Sequence, residues 1–360
     1  MAKKQDERRV RERYASALRL AAPGSPLREG VSYILQSGTG GLLVLDDSKR
    51  VQKLCEGGVT IDRPFSPTLL YELSKMDGAI VLNERATRIV SANVFLAPSK
   101  KIGSMETGTR HRAAERMAKQ TLSAILAISQ KRRSVTLYVG NVKRVLESIA
   151  TLLNKASQAL QTLEKYCNAL RDQLEELSIR EFQDMVTIFD VCEAIQRAEM
   201  VRRIGEEIKP YITELGTEGR LVDLQLKELI GAYEEGSLVI KDFYKKRDEY
   251  TAEKAQDVIA QLSSKDLLNL NNICQALGHG PNMRVVDTYL SSRGYRILTQ
   301  THRLSHGIIE NLVRNFGSLQ AILRAPREEL VALEGVGEVM AERIRVSLDL
   351  LRNQLALEVR

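Results

Sequence analysis

The sequence predicts a multidomain protein of three successive textures. Residues 1–140 read as an α/β part, a mixed sheet covered by helices; residues 141–288 as an all-α spine; and residues 289–360 as an all-α tail of short helix pairs. Three observations carry this. Continuous apolar runs near the start read as strands buried on both faces. From Asn141 the apolar residues recur with the 3.6-residue period of a helix. Ser291–Arg360 then holds ten Arg, no Lys and eight acidic residues, a net of +2, in short segments separated by glycine-containing turns. A length of 360 residues accommodates two or three domains.

In chain order, Gly41–Leu45, Ala79–Leu82 and Ala124–Ile128 are the strand candidates. Val135, Leu137 and Val139 alternate with Thr136 and Tyr138, as in a half-exposed edge strand. Helices are expected after Pro26, after Ser66-Pro67 and from Arg110 to Gln120; Ser before Pro is a good start signal. Val142, Val145, Leu146, Ile149, Leu152, Leu153, Ala156, Leu160 and Leu163 predict one long amphipathic helix from Asn141. It would be about 45 Å long over some 30 residues. Helical patterns continue to about residue 285, with breaks expected at Leu177-Ser178, Lys209-Pro210 and Gly216–Gly219.

Composition excludes several classes. Hydrophobic residues at 43% supply ordinary cores, and a net charge of +7 is compatible with a polyanionic partner. No apolar run approaches the roughly 18 residues of a membrane span, so no membrane partner is expected. The first twenty residues carry seven basic and three acidic side chains without an apolar core, so no secretory leader is expected. Cys55, Cys167, Cys192 and Cys274 are scattered, and only four His are present. That argues against a zinc site and for a cytoplasmic protein with reduced thiols. Gly38-Thr39-Gly40-Gly41 lacks the lysine of a P-loop, and neither GxSxG nor HExxH occurs. His279, His302 and His306 read as loop or surface residues, and His111, between two Arg, is not expected in an apolar core.

Two constellations carry chemistry. In Leu333-Glu334-Gly335-Val336-Gly337-Glu338, two glycines flank one apolar residue and a helix follows. Such a turn approaches another chain closely, and the helix start presents unpaired N–H groups to a phosphate. It resembles a helix-hairpin-helix motif, which grips DNA backbones without reading bases; a plain αα-hairpin is the alternative. Leu304-Ser305-His306-Gly307-Ile308 followed by Asn315-Phe316-Gly317-Ser318-Leu319 resembles a degenerate tandem partner. The DNA-contact candidates are Gly335, Val336, Gly337, Glu338 and Arg343, with His306 and Gly307 from the partner hairpin.

The second constellation joins Met76-Asp77-Gly78-Ala79, where a helix ends and a strand begins, to Ser104–Arg112 at a helix start. Asp77 is costly to bury there unless it meets a metal or polar ligand. Gly78 lets a flat ligand lie on bare backbone, the hydroxyls of Ser104, Thr107 and Thr109 add donors, and Arg110 and Arg112 form forks onto phosphate. The combination suits a nucleoside triphosphate; a turn aspartate beside a solvated basic face is the other reading.

Together, Asp77-Gly78-Ala79, Arg110-His111-Arg112, the spine and the C-terminal hairpins resemble the DNA integrity scanning family of bacterial diadenylate cyclases. Ala22–Arg28, Phe65-Ser66-Pro67, Glu214–Gly219 and Arg293-Gly294-Tyr295-Arg296 extend the resemblance over the whole chain. The resemblance implies synthesis of cyclic di-AMP from two ATP with Mg²⁺ or Mn²⁺. Under it residues 1–140 are the cyclase domain and 289–360 the tandem helix-hairpin-helix domain. Asp77 would organise the metal and the attacking ribose hydroxyl. Gly78, Ala79 and Leu96 would hold the adenosine, Thr107, Thr109, Arg110, His111, Arg112 and Ala113 would surround the phosphates, and Ser129 would lie close by. Asp77, Arg110, His111 and Arg112 are the catalytic candidates. Many relatives have Thr where this chain has Ala113, which removes one phosphate-binding hydroxyl. The family also implies a homo-octamer, branched DNA such as Holliday junctions as a regulatory partner, and a nucleoid association. The rival reading is a non-catalytic helix-hairpin-helix repair or architectural protein with a nucleotide-sensing domain.

Overall fold

A computed structural model of the chain describes residues 2–246, 250–280, 289–301 and 304–358; His302 lies outside them. Two compact units emerge, Met1–Gln158 with Ile208–Leu224, and Ala159–Glu207 with Gln225–Arg360.

The first unit is built on a sheet. After α1 (Ala2–Leu20) and α2 (Pro26–Gln36) come β1 (Gly41–Leu45), α3 (Lys49–Gln52), β2 (Cys55–Glu56), β3 (Val59–Pro64), α4 (Pro67–Ser74), β4 (Ala79–Leu82) and β5 (Arg88–Leu96). Then follow α5 (Thr109–Thr121), β6 (Ala124–Ser129), β7 (Ser134–Val139) and β8 (Val142–Leu146). The strand order is β2-β5-β4-β1-β6-β7-β8, with β3 also on β5. Only β1 and β4 pair in parallel. The expected caps start two helices: Ser25 accepts from the Arg28 N–H and Ser66 from the Leu69 N–H, each with Pro at the next position.

Strand alternation sorts the core into two layers. Leu43, Leu45, Ile80, Leu82, Leu126 and Ile128 pack with Ala17, Leu27, Val31, Ile34 and Leu70 of α1, α2 and α4. Leu42, Val44, Val81, Ile125 and Ala127 pack with Ala114, Met117 and Ala118 of α5. Each fully buried aliphatic side chain contributes about 2 kcal/mol of transfer free energy.

Two expectations about strands are corrected. β7 is an interior strand, buried from Val135 to Val139, because β8 pairs along its outer edge. Residues 142–146, which fit a helical period, form that strand: Val139 pairs with Val142 across a Gly140-Asn141 hairpin turn whose Gly140 has φ +56°.

The helical region starts at α6 (Ile149–Gln183) and continues, after β9 (Val186–Thr187), with α7 (Ile188–Leu215). Neither Leu177-Ser178 nor Lys209-Pro210 breaks its helix; Pro210 sits inside α7. The break at Gly216–Gly219 is present, as a short 3₁₀ turn. There Gly216 adopts φ +57°, and a Cβ would lie 2.7 Å from the Pro23 carbonyl; a Cβ on Gly24 would lie 2.2 Å from the Thr217 hydroxyl. Thr217 donates to the Pro23 carbonyl at 3.2 Å. Two motifs almost two hundred residues apart are thus packed backbone against backbone.

Beyond the 3₁₀ turn come α8 (Arg220–Phe243), α9 (Ala252–Gln261), α10 (Ser264–Leu267) and α11 (Leu270–Ala276), then β10 (Tyr289–Leu290), which pairs with β9. The tail comprises α12 (Tyr295–Gln300), α13 (His306–Phe316), α14 (Leu319–Arg324), α15 (Arg327–Val331) and α16 (Glu338–Glu358) around a core that includes Leu298, Leu312, Leu330, Ala341 and Ile344 together with Phe182 of α6.

A buried polar hub ties α12 to α6 and α8. Arg296, 0% exposed, pairs with Glu181, donates to the Ser178 hydroxyl at 2.8 Å and reaches Glu235 at 3.0 Å. Asp242 accepts from the N–H groups of Tyr295 and Arg296 at 2.6 and 2.9 Å. Burial, with the charge of Glu181 nearby, pushes the Asp242 carboxyl up to about 7. A carboxyl raised on folding contributes stability that is complete below its unfolded range and lost as pH rises through 7. Thermal unfolding of the C-terminal unit is therefore expected at higher temperature at pH 6 than at pH 8. Asp242→Asn should flatten that slope; an unchanged slope in the variant would locate the dependence elsewhere.

Candidate nucleotide and DNA sites

Strand register brings the first constellation to one rim of the sheet. Ala79 opposes Val94 and Gly78 lies against Asn93 and Val94, so Asp77-Gly78 stands beside the last residues of β5. Leu43 opposes Ile80 in parallel, so Gly40 and Asp77 precede neighbouring strands at the same rim. Gly41 opposes Ile128, so Ser129 borders Gly40. The loop after β5 leads to the N-terminus of α5.

Asp77 is exposed rather than buried, a correction to the expected cost of burying it, and no described residue pairs with it. A lone acceptor-only carboxylate on an open rim fits a hard cation shared with nucleotide phosphates. An all-protein metal cage is absent: no group of three His, Cys, Asp or Glu suited to a metal occurs among the described residues. Gly78 has φ +93°, and a Cβ would fall 2.9 Å from the Asn93 carbonyl carbon and the Val94 oxygen. Its glycine is therefore required by the close approach of β5. Ala79 and Leu96 are buried, and Leu96 pairs in register with Cys55. These two present backbone only.

The start of α5 is open. Its N-cap is Gly108, with no side-chain cap, so the first-turn N–H groups are available to an anion. Thr107 and Thr109 are exposed beside them, and Ala113 is half-buried. Arg110 lies over Gly40: a Cβ there would meet its Nη1 at 2.1 Å. No described residue pairs with its guanidinium. Arg112 braces the preceding loop, donating to the carbonyls of Glu106 and Thr107 at 3.3 and 3.1 Å. Ser129 accepts from the Arg132 N–H at 3.2 Å and so shapes the β6–β7 turn.

His111 packs edge-on to Tyr138, ring centroids 6.4 Å apart. Burial holds its imidazole below the usual range; Arg132, Arg110 and Lys143 act in the same direction, against the nearby Glu106. The fixed positive charge at the start of α5 is carried by Arg110 and Arg112. Glu106 anchors this side by pairing with Lys143 and accepting from the Tyr138 hydroxyl at 2.8 Å.

Gly40 and Glu106 are positions to which sequence reasoning assigns no role. The run Thr39-Gly40-Gly41 is a visible signal, but what a side chain on Gly40 would meet, the Arg110 guanidinium and the Ile128 carbonyl at 3.0 Å, lies seventy or more residues away. Gly40→Ala is expected to displace that guanidinium and weaken nucleotide binding about tenfold, with a small drop in melting temperature as the Ile128 carbonyl gives way. Unaltered affinity in a titration would detach Arg110 from the nucleotide.

In the tail, the two hairpin turns meet. Asn311 donates to the Glu334 carbonyl at 3.2 Å, and Gly335, at φ +84°, approaches Ile308. His306 and Gly307 begin α13 with Ser305 as N-cap, and Glu338 begins α16. His306, Gly307, Gly337 and Glu338 are exposed, and a Cβ on Gly307 or Gly337 would meet open space. Glu338 pairs with Arg327 at 3.2 Å. Val336 is buried in the tail's core, so only its backbone is presented; Arg343 is half-buried one turn into α16.

Residues 28–142 match the family described as DisA bacterial checkpoint controller nucleotide-binding. Residues 146–286 match the DisA bacterial checkpoint controller linker region, and residues 318–347 the helix-hairpin-helix motif. Similar curated proteins, each called DNA integrity scanning protein DisA, span almost the whole chain. That of Carboxydothermus hydrogenoformans is 49% identical over 344 residues, 95% of this chain and 98% of the relative. That of Clostridium botulinum strain Loch Maree is 48% identical over 342 residues, 95% and 96%. Among solved structures, DacA from Staphylococcus aureus matches with a TM-score of 0.29 and 24% identity, over 40% of this chain and 90% of that one; the sequence relatives therefore decide the family. No helix among the described residues is long and apolar enough to cross a membrane.

Proposed function

Because the chain belongs to the DNA integrity scanning protein DisA family, we propose that it is a diadenylate cyclase, joining two ATP into cyclic di-AMP with release of two pyrophosphates. The observation that carries this reading is the unpaired Asp77 carboxylate sharing one sheet rim with the uncapped start of α5 and with Arg110. Each ribose 3′-oxygen attacks the α-phosphorus of the other nucleotide, its proton goes to solvent and pyrophosphate leaves. The chain's part is to orient both nucleotides and neutralise developing charge. Arg110 and the α5 N–H groups face the phosphates, Arg112 fixes the loop that carries Thr107, and Gly78 keeps β5 close behind the site. Asp77 would hold Mg²⁺ or Mn²⁺, which when bound supplies charge neutralisation at the phosphates.

One chain holds one copy of these residues, and the reaction needs two nucleotides face to face. A homo-oligomer that apposes two N-terminal units is therefore part of the proposal, with the octamer of the family resemblance as its expected form. Met76 (49% exposed), Phe95 (67%) and Met105 (94%) flank the site residues and support a surface that a second copy covers. Incubating the protein with ATP and Mg²⁺ or Mn²⁺, then separating nucleotides by chromatography, tests the reading: a cyclic dinucleotide is expected. Intact ATP would favour the rival reading, a DNA-binding protein that only senses nucleotide.

The hairpins supply the proposed regulation. Their contacts are to the DNA backbone, hence weakly sequence-dependent and salt-sensitive, and an oligomer carrying several pairs would favour branched DNA. Such DNA is expected to lower cyclic di-AMP output. Gly337→Asp places a carboxylate where a phosphate would approach, in space that accepts it without strain. It should weaken binding to a four-way junction at least tenfold and abolish the inhibition. An equal response to the junction in parent and variant would remove the hairpin from the signal.

A further inference from the structure

A cavity of about 470 Å³ opens in the C-terminal unit where α8 ends, α9 begins and α12 and α13 pass. It is a basic and aromatic pocket: Lys241, Lys246, Arg293 and Arg314 line it, with the rings of Tyr244 and Tyr295. Each ring carries a cation, the Arg293 guanidinium 4.4 Å from the centre of Tyr244 and the Lys241 ammonium 5.6 Å from that of Tyr295.

The charges divide unequally between occupied and available groups. Of the acidic residues in the lining, Glu310 accepts from the Tyr295 hydroxyl at 3.0 Å. Glu253 is held below the usual carboxylate range by its own backbone N–H and the Thr251 hydroxyl at the start of α9. Arg293 donates to the carbonyls of Lys241, Asp242 and Tyr244 at 2.9, 2.9 and 2.7 Å, closing the end of α8. Lys246 and Arg314 are exposed, and neither has a partner among the described residues. Glu310 is thus engaged, while Lys246 and Arg314, both exposed, are not.

The geometry points to a second nucleotide site, in which this pocket takes one phosphorylated nucleoside: phosphate against Lys246 and Arg314, base against the tyrosine wall. The volume suits one such unit; aromatic surfaces beside cations are how sequence-tolerant single-strand sites are built. The unit can come from a nucleic-acid strand or from a free nucleotide. In the first case the inference rests on the proposed DNA-binding role of the tail.

Fluorescence polarisation of a labelled, 5′-phosphorylated oligothymidylate on the full-length protein tests it, with AMP and inorganic phosphate as competitors. Lys246→Gln with Arg314→Gln should weaken the strand about tenfold or more, with an unchanged circular dichroism spectrum. Competition by AMP in the parent identifies the free nucleotide as able to fill the pocket; loss of strand binding without such competition identifies the strand. Unchanged strand binding and unchanged AMP competition in the double variant overturn the inference. Inorganic phosphate competing as well as AMP overturns the part played by the rings. Gly337→Asp separates the two claims: if it leaves strand and junction binding intact while the double variant lowers strand binding, the hairpin reading fails and this one stands.

Discussion

Asp77→Asn is expected to lower cyclic di-AMP formation by two or more orders of magnitude, roughly the several kcal/mol that a charge-neutralising cation supplies in such a site. The substitution keeps the size of the side chain, removes its charge and replaces one acceptor oxygen with an N–H donor group. Since Asp77 is exposed and has no described partner, its loss leaves no buried group unsatisfied, and melting temperature should move little. Rates measured across a metal titration separate the causes: the variant should need far more Mg²⁺ or Mn²⁺ for any given rate. Near-parental activity with the same metal dependence would remove Asp77 from the mechanism.

The second large effect is expected at the start of α5. A charge-assisted hydrogen bond contributes about 1.5–3 kcal/mol, so each arginine lost costs about tenfold to a hundredfold in use of ATP. The two arginines should fail differently. Arg110 has no described partner, and its removal takes away a charge that faces the nucleotide; Arg110→Ala should raise KM and lower kcat together. Arg112 already holds the carbonyls of Glu106 and Thr107, so Arg112→Ala also loosens the loop. Arg112→Lys should rescue poorly, because one ammonium does not reproduce a two-point brace. If the double alanine variant binds and turns over ATP like the parent, the pair is only a solvated face.

Much of this site is legible in the amino-acid sequence. Asp77-Gly78 stands between a capped helix and an apolar run, and both limits are local signals that the fold respects. The start of α5 is readable from its arginines. Other features depend on distant chain. The glycine at Gly40 is explained by Arg110 and the Ile128 carbonyl, Gly24 by Thr217 and Gly216 by Pro23, none of which a local window contains. β7 reads as an edge strand because its alternation is local, whereas its burial depends on β8. Val142, Val145 and Leu146 of β8 satisfy a helical period by coincidence, and the Gly140-Asn141 turn is the better guide. Asp77 would be costly to bury; the rim leaves it in water.

The direct test of the central claim is the product stoichiometry of one reaction. Purified full-length protein is incubated with ATP and Mg²⁺ or Mn²⁺, and nucleotides and pyrophosphate are quantified together over time. One cyclic di-AMP and two pyrophosphates are expected for every two ATP consumed, with the Asp77→Asn rate at least a hundredfold lower in parallel. ATP converted to ADP and phosphate, or ATP unchanged by a folded protein under both metals, would contradict it.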